Sequence, residues 1–427
     1  MTFIRLASAC IPLILGMHSA HAAEVYFSFN HIEGGGAARI AIDDATGKID
    51  AIEVLGDVTT FADPKKLAVT GNGQFLILTS DEHELAHIHP LTTSGAAPQT
   101  LTLPATTEDV TPADDAFFLT LGKGRFAILN PANGNFTWTW NCRSELDPPG
   151  HKGEGTIILA DGRTAITSFQ KDSSTRKGSR LGVFALDDPR FLHDIQLPRE
   201  RPELHIQGSD KEQGPNPELL FTAATSNTLV YSMDLYGGLG FTDLYAAINH
   251  GRLENHTRIA TSLDGSWGSA FPDRGTLFKH NNRELLLISN ASKNGGYVLV
   301  DVAAREILQR FPSPSGGEHP VWMPHANLLA SAPSGKIKSR GDTELEKISK
   351  PTPELHWFNV APMHHAQPVE FTKSALDSPV AAMTRAGRHL IVFTHASDAI
   401  VFDPETREIL DRKSTPGPAV RVAILRE

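Results

Sequence analysis

One hairpin recurs along this chain and limits the fold more than any other feature. An apolar run ends in Asp or Asn, a turn follows, and a second run begins. It reads Ile42-Asp43-Asp44-Ala45-Thr46-Gly47-Lys48-Ile49 near the start and Leu129-Asn130-Pro131-Ala132-Asn133-Gly134-Asn135-Phe136 further on. Val300-Asp301-Val302-Ala303-Ala304-Arg305-Glu306-Ile307 and Phe402-Asp403-Pro404-Glu405-Thr406-Arg407-Glu408-Ile409 repeat it, and Leu186-Asp187 and Met233-Asp234 are looser copies. The Asp or Asn accepts hydrogen bonds from turn amides, and Gly supplies the positive φ. Another strand-like run precedes the copies, as in Phe75-Leu76-Ile77-Leu78, Leu285-Leu286-Leu287-Ile288 and Leu390-Ile391-Val392-Phe393. Each unit therefore holds four strands, with no amphipathic helix between them.

Four-stranded units at a period of about 40–50 residues are the blades of a β-propeller. Units fall near 66–104, 111–141, 152–198, 203–261, 275–315, 317–375 and 378–415. The stretch 24–58 holds only three strands. The run Ala419-Val420-Arg421-Val422-Ala423-Ile424 supplies the fourth, which closes the ring and removes an exposed edge. The expectation is an all-β, eight-bladed propeller of antiparallel blades, a single domain over 23–427, with seven blades as the alternative. Eight blades fit the 405 residues of 23–427 better, because they need about 51 residues each rather than about 58. The longest stretches outside the repeat are 236–274 and 334–354.

The first residues read as a secretion signal. Arg5 precedes an apolar stretch, Leu6–Gly16, that is too short to span a bilayer, and Ala20-His21-Ala22 is an A-x-A cleavage site. Cleavage is expected after Ala22, in a periplasmic or secreted protein with no second hydrophobic span. Cys10 leaves with the leader. Cys142 then stands alone and can form no internal disulfide; it reads as a structural cysteine, with a thiolate ligand or nucleophile as the alternative. A net charge of −10 without a Lys/Arg-rich run speaks against nucleic acid. Walker A, G-x-S-x-G, H-E-x-x-H and C-x-x-C-H motifs are absent.

The 19 histidines are the residues to follow. Three units begin with one: Gly150-His151-Lys152-Gly153-Glu154-Gly155, Glu203-Leu204-His205-Ile206-Gln207-Gly208 and Gly317-Glu318-His319-Pro320-Val321-Trp322. Equivalent positions of separate blades converge on the propeller axis. His151, His205 and His319 would there hold Zn²⁺, with a fourth ligand or second-shell support from Glu154, Asp210 or Glu318. Three independent histidines hydrogen-bonded to loop carbonyls is the other reading. His87-Ile88-His89 is a separate signal. On a strand these imidazoles face the same way, with His83 and Leu85, as a two-histidine metal half-site or a surface pair. His89 stands where sibling units carry the turn Asp or Asn. Met363-His364-His365 is a weaker pair in a loop. Trp138 and Trp140 read as inter-blade packing, and Trp267 as a loop residue able to line a pocket.

With these residues placed, the chain resembles secreted propellers of the YVTN/cytochrome d1-like type over nearly its whole length. Through the leader, the blade count, Gly150-His151-Lys152-Gly153 and Leu204-His205 it also resembles the periplasmic zinc metallochaperones that serve a zinc ABC importer. That second resemblance implies zinc held by histidines in the propeller centre, a chaperone or storage role rather than catalysis, and a periplasmic solute-binding protein as partner. The mobile His/Asp-rich segment of that family is matched only by His83–His89. The first resemblance implies an enzyme or haem-binding protein of the lactonase or cytochrome d1-like kind, with His151, His205 or His319 as axial ligands. A propeller that docks a partner protein through its loops is the third expectation.

Overall fold

The computed structural model describes residues 22–31, 34–56, 61, 64–80, 82–93, 95–146, 152–170, 179–199, 214–268, 270–290, 296–312, 318–333, 352–360 and 371–424. They form eight four-stranded antiparallel sheets. Blade 1 joins both ends of the chain: Ala419–Ile424 is innermost, followed by Ala22–His31, Gly34–Asp43 and Ile49–Leu55. Blades 2 to 8 occupy 64–102, 107–141, 153–196, 220–260, 272–312, 318–375 and 380–414, each running from its innermost to its outermost strand. Seven blades are thereby excluded. Among the described residues no helix is long and apolar enough to cross a membrane. The leader lies outside the described residues.

Blades stack face to face around the axis, so the middle strands bury both faces and read as continuous apolar runs. Leu76, Ile77 and Leu78 in blade 2 are fully buried, as are Leu285, Leu286, Leu287 and Ile288 in blade 6. Alternate residues of such a run serve different seams. Ile77 joins the cluster shared with blade 3, whereas Leu76 and Leu78 join the one shared with blade 1. Outermost strands alternate instead. Asn135–Asn141 exposes Thr137 and Thr139 and turns Trp138 and Trp140 onto Phe184 and Phe191 of blade 4, so the expected packing role holds.

The recurring hairpin joins the third and fourth strands of a blade, except that the looser copy Met233-Asp234 joins the second and third strands of blade 5. Asp43 Oδ1 accepts from Thr46 N at 2.7 Å, Asn130 Oδ1 from Ala132 N at 2.9 Å and Asp301 Oδ1 from Ala304 N at 3.0 Å. Gly47 and Gly134 close their turns at φ of 70° and 71°. In two copies Arg305 and Arg407 hold the same place at 56° and 65°, so glycine is not obligatory there. The seam between blades 8 and 1 is tied by bonds from side chains to backbone. His389 Nε2 lies 3.0 Å from the Asp44 carbonyl, Asp44 Oδ1 accepts from Arg388 N at 2.9 Å, and Asp411 Oδ2 accepts from Ile49 N at 2.8 Å.

Two expectations change. A short helix, Leu244–His250, interrupts blade 5 before its outermost strand, capped by Asp243 on Ala246 N and ended by Gly251 at φ 62°. Trp267 packs against the backbone at Gly238 and joins the apolar cluster of blades 4 and 5 rather than opening a pocket.

Gly162 and Gly47 separate two costs of a left-handed turn. Around Gly162, at φ 67°, an added Cβ would meet nothing, whereas at Gly47 it would lie 2.4 Å from Leu410 Cδ1 of blade 8. Gly162→Ala is expected to cost only the backbone term, about 1–2 kcal/mol. Gly47→Ala is expected to cost at least about 1 kcal/mol more, because the closing seam must also give way. Denaturant titration of both variants checks the order.

Candidate site at the mouth of the central channel

The innermost strands of a propeller line its channel, and here they begin irregularly. In blades 2, 3, 4, 6, 7 and 8 a register shift falls at the start of this strand, such as Pro64/Lys66, Thr107/Asp109 and Glu318/Val321. A bulge re-aims the side chains beside it, which suits a rim. Its amides are braced from the neighbouring second strand by a small hydroxyl. Ser168 Oγ accepts from Gly155 N at 3.1 Å, Ser28 Oγ from Arg421 N at 3.1 Å, and Ser232 Oγ from Glu218 N and Leu219 N, each at 2.9 Å.

Charged side chains from these starts join adjacent blades across the rim. Lys66 of blade 2 lies 3.4 Å from Asp109 of blade 3, and Lys152, just ahead of the innermost strand of blade 4, lies 3.5 Å from Glu108 and 2.5 Å from Glu154. Gln170 Nε2 donates to Glu218 Oε1 at 3.2 Å, carrying the chain of contacts to blade 5. Burial holds the Glu154 carboxyl above its usual range, against the pull of the Lys152 ammonium. Of this carboxylate and lysine rim the sequence pattern in histidines picked out only Glu154. The rim's signal was the bulge-bracing hydroxyl in Phe27-Ser28-Phe29 and Thr167-Ser168-Phe169.

His319 lies within the bulge that opens blade 7, with φ of 54°. A non-glycine residue held there is strained, and such strain concentrates at functional positions. Glu318 opens the same strand. His151, His205, Asp210, His364 and His365 lie outside the described residues. The innermost strand of blade 5 starts at Leu220, so the expected start near 203 is corrected. Among the described residues no three His, Cys, Asp or Glu side chains stand close enough to hold a metal ion.

His87 and His89 are elsewhere. Both lie on the third strand of blade 2, Leu85–Pro90, buried in the seam with blade 1 at 7% and 4% exposure. They do face the same way, but they are not a surface pair. His89 lies opposite Leu76 within the sheet and caps no turn, unlike the turn acids of the sibling units. His87 packs on Phe61 with ring centroids 4.5 Å apart, and His83 is exposed in the preceding turn. Cys142 is fully buried, and burial pushes its thiol up to about 12, which fits the structural reading.

Burial, with a smaller contribution from His87, holds His89 down at about 4 against an ordinary 6.5. The unfolded chain therefore takes up this proton first as pH falls. The stability tied to neutral His89 is complete above about 6.5 and drains away between 6.5 and 4, by about 3 kcal/mol. Denaturation at pH 7 and pH 4.5 is expected to show a smaller acid loss in His89→Phe than in the parent chain. An equal loss in both would remove His89 from the acid response.

No family model matches this chain, and no curated protein sequence does. Solved structures share its fold. The dihydro-heme d1 dehydrogenase NirN, in complex with DHE, aligns at a TM-score of 0.66 and 10% identity over 93% of this chain and 74% of that one. Apo AztD from Citrobacter koseri aligns at 0.56 and 14% identity over 94% and 98%. Saccharomyces cerevisiae Sqt1 aligns at 0.56 and 12% over 83% and 86%. At such identities the likeness establishes the eight-bladed architecture.

Proposed function

We propose that this protein is a periplasmic metal-binding propeller that takes zinc as cargo, as a chaperone or store, at the mouth of its central channel. The observation that carries the reading is His319, held in left-handed backbone inside the bulge that opens blade 7. His151 and His205 are the proposed companions. Carboxylates such as Glu154 add negative charge beside the site, and the Lys152 ammonium offsets part of it. The resemblance to zinc metallochaperones supports the choice of ion, and a periplasmic solute-binding protein would be the recipient. The leader, cut after Ala22, would deliver the chain to that compartment.

A haem reading is the alternative. What favours it is NirN, a propeller in complex with DHE whose fold follows 93% of this chain. His151, His205 or His319 would then be axial ligands. A Soret band on addition of haem would support it.

Zinc titration of residues 23–427 against a chromophoric chelator tests the first reading. Stoichiometric uptake is expected in the parent chain and loss in His151→Ala/His205→Ala. His319→Gly is expected to lose zinc while its stability holds or rises, because glycine relieves the left-handed strain. Equal uptake by all three proteins would make the histidines structural.

A further inference from the structure

We infer that the seam between blades 1 and 2 holds a second, separate metal site, for a soft monovalent ion such as Cu⁺, bound between His87 and His89. The inference does not depend on zinc at the channel mouth.

Packing alone does not account for this pair. The corresponding face of the third strand carries only apolar residues in blades 3, 6 and 8, at Ala127 and Leu129, Val298 and Val300, and Ile400 and Phe402; blade 4 places one buried Arg180 there and blade 7 one buried His356, so a pair of imidazoles is particular to blade 2 among these. Two imidazoles at the same place in blade 2 lose hydration. His89 Nε2 is buried with no hydrogen-bond partner among the described residues. An unpaired buried nitrogen is costly unless something else occupies it.

The separation of the rings fits two-nitrogen, near-linear coordination. A ring nitrogen lies about 1.1 Å from its centroid and takes a metal at about 2.0 Å, so a near-linear ion sets two centroids about 6 Å apart and a tetrahedral one about 5 Å apart. The His87 and His89 centroids are 6.1 Å apart. The broad torsion about the histidine Cβ–Cγ bond lets both nitrogen edges turn to the gap. Near-linear, two-nitrogen coordination is a habit of d¹⁰ monovalent ions rather than of Zn²⁺.

Charge points the same way. Burial keeps both imidazoles neutral, so they can ligate but cannot neutralise. Across the seam Glu24 and Glu53 are committed to Arg39, at 2.9 and 2.6 Å. The cost of burying an ion rises with the square of its charge, so a monovalent ion costs a quarter of what a divalent one does. A cleft walled by Tyr26, Arg39, Leu55, Pro90 and Leu91 reaches His89 and gives the ion a way in.

The test is a Cu⁺ titration of the chelator-stripped chain, with ascorbate present and a chromophoric Cu⁺ chelator as competitor. His87→Phe, His89→Phe and His319→Ala are run alongside. Phenylalanine suits the apolar pattern of the sibling blades, and circular dichroism reports whether each variant folds. Silver ion, which needs no reductant, repeats the measurement by thermal shift. The parent chain and His319→Ala are expected to bind one equivalent in the seam, and each phenylalanine variant to lose it with at least a tenfold fall in affinity. Copper uptake unchanged in folded His87→Phe and His89→Phe, or no uptake by the parent chain, overturns the inference. Zinc uptake lost only in His319→Ala would leave it standing.

Discussion

Burial of both faces of every blade is the constraint on which this molecule depends. A sheet that packs on two sides has no solvent face, so its middle strands must be apolar at every position. The runs through Leu76, Leu286, Ile391 and Val392 obey this, and none of these residues is measurably exposed. Any polar group placed inside a seam then needs a partner. In the seam of blades 8 and 1 the partners are backbone groups, as with His389 and Asp44. In the seam of blades 1 and 2, Arg39 takes two carboxylates while His89 is left with a bare nitrogen. Each seam nevertheless leaves one imidazole nitrogen without a partner among the described residues, Nδ1 of His389 and Nε2 of His89.

The channel mouth follows a different rule. There the innermost strands give up regular pairing, and bulges free side chains to reach across blades. Hydroxyls from the second strands accept from amides at the irregular starts, as Ser28 does from Arg421 and Ser168 from Gly155. The rim can therefore carry Lys66, Asp109, Lys152 and Glu154 in a network of mutual contacts. It can also hold His319 in a backbone state that regular sheet would refuse. Irregular backbone and charge occur together at the starts of blades 2, 3 and 4.

Most of the architecture was legible in the sequence because a propeller repeats one local problem. Asp43, Asn130, Asp301 and Asp403 solve the same turn, and each marks a blade. The three-stranded start and the lone run at Ala419–Ile424 pointed to each other. Blade 5 was misplaced because its innermost strand is short, Leu220–Ala223, and the stretch before it has no periodic signal. The helix Leu244–His250 is under two turns and too brief to show a stripe. Alternation placed His87 and His89 on one face, but a blade has two buried faces, so it could not show that the pair lies in a seam. The site was less legible than the fold, since the rim is assembled from residues that are adjacent only once the ring exists.

The pairing of Ala419–Ile424 with Ala22–His31 has a consequence in time. The innermost strand of the first blade is made after all the others. Until it emerges, Val25, Phe27 and Phe29 have an open ladder beside them, and seven finished blades cannot lock as a ring. Completion of the fold is thus a late, long-range event, separated from its partner strand by nearly the whole chain. A chain wired in this way stays threadable through most of its synthesis and becomes a rigid body only at the end.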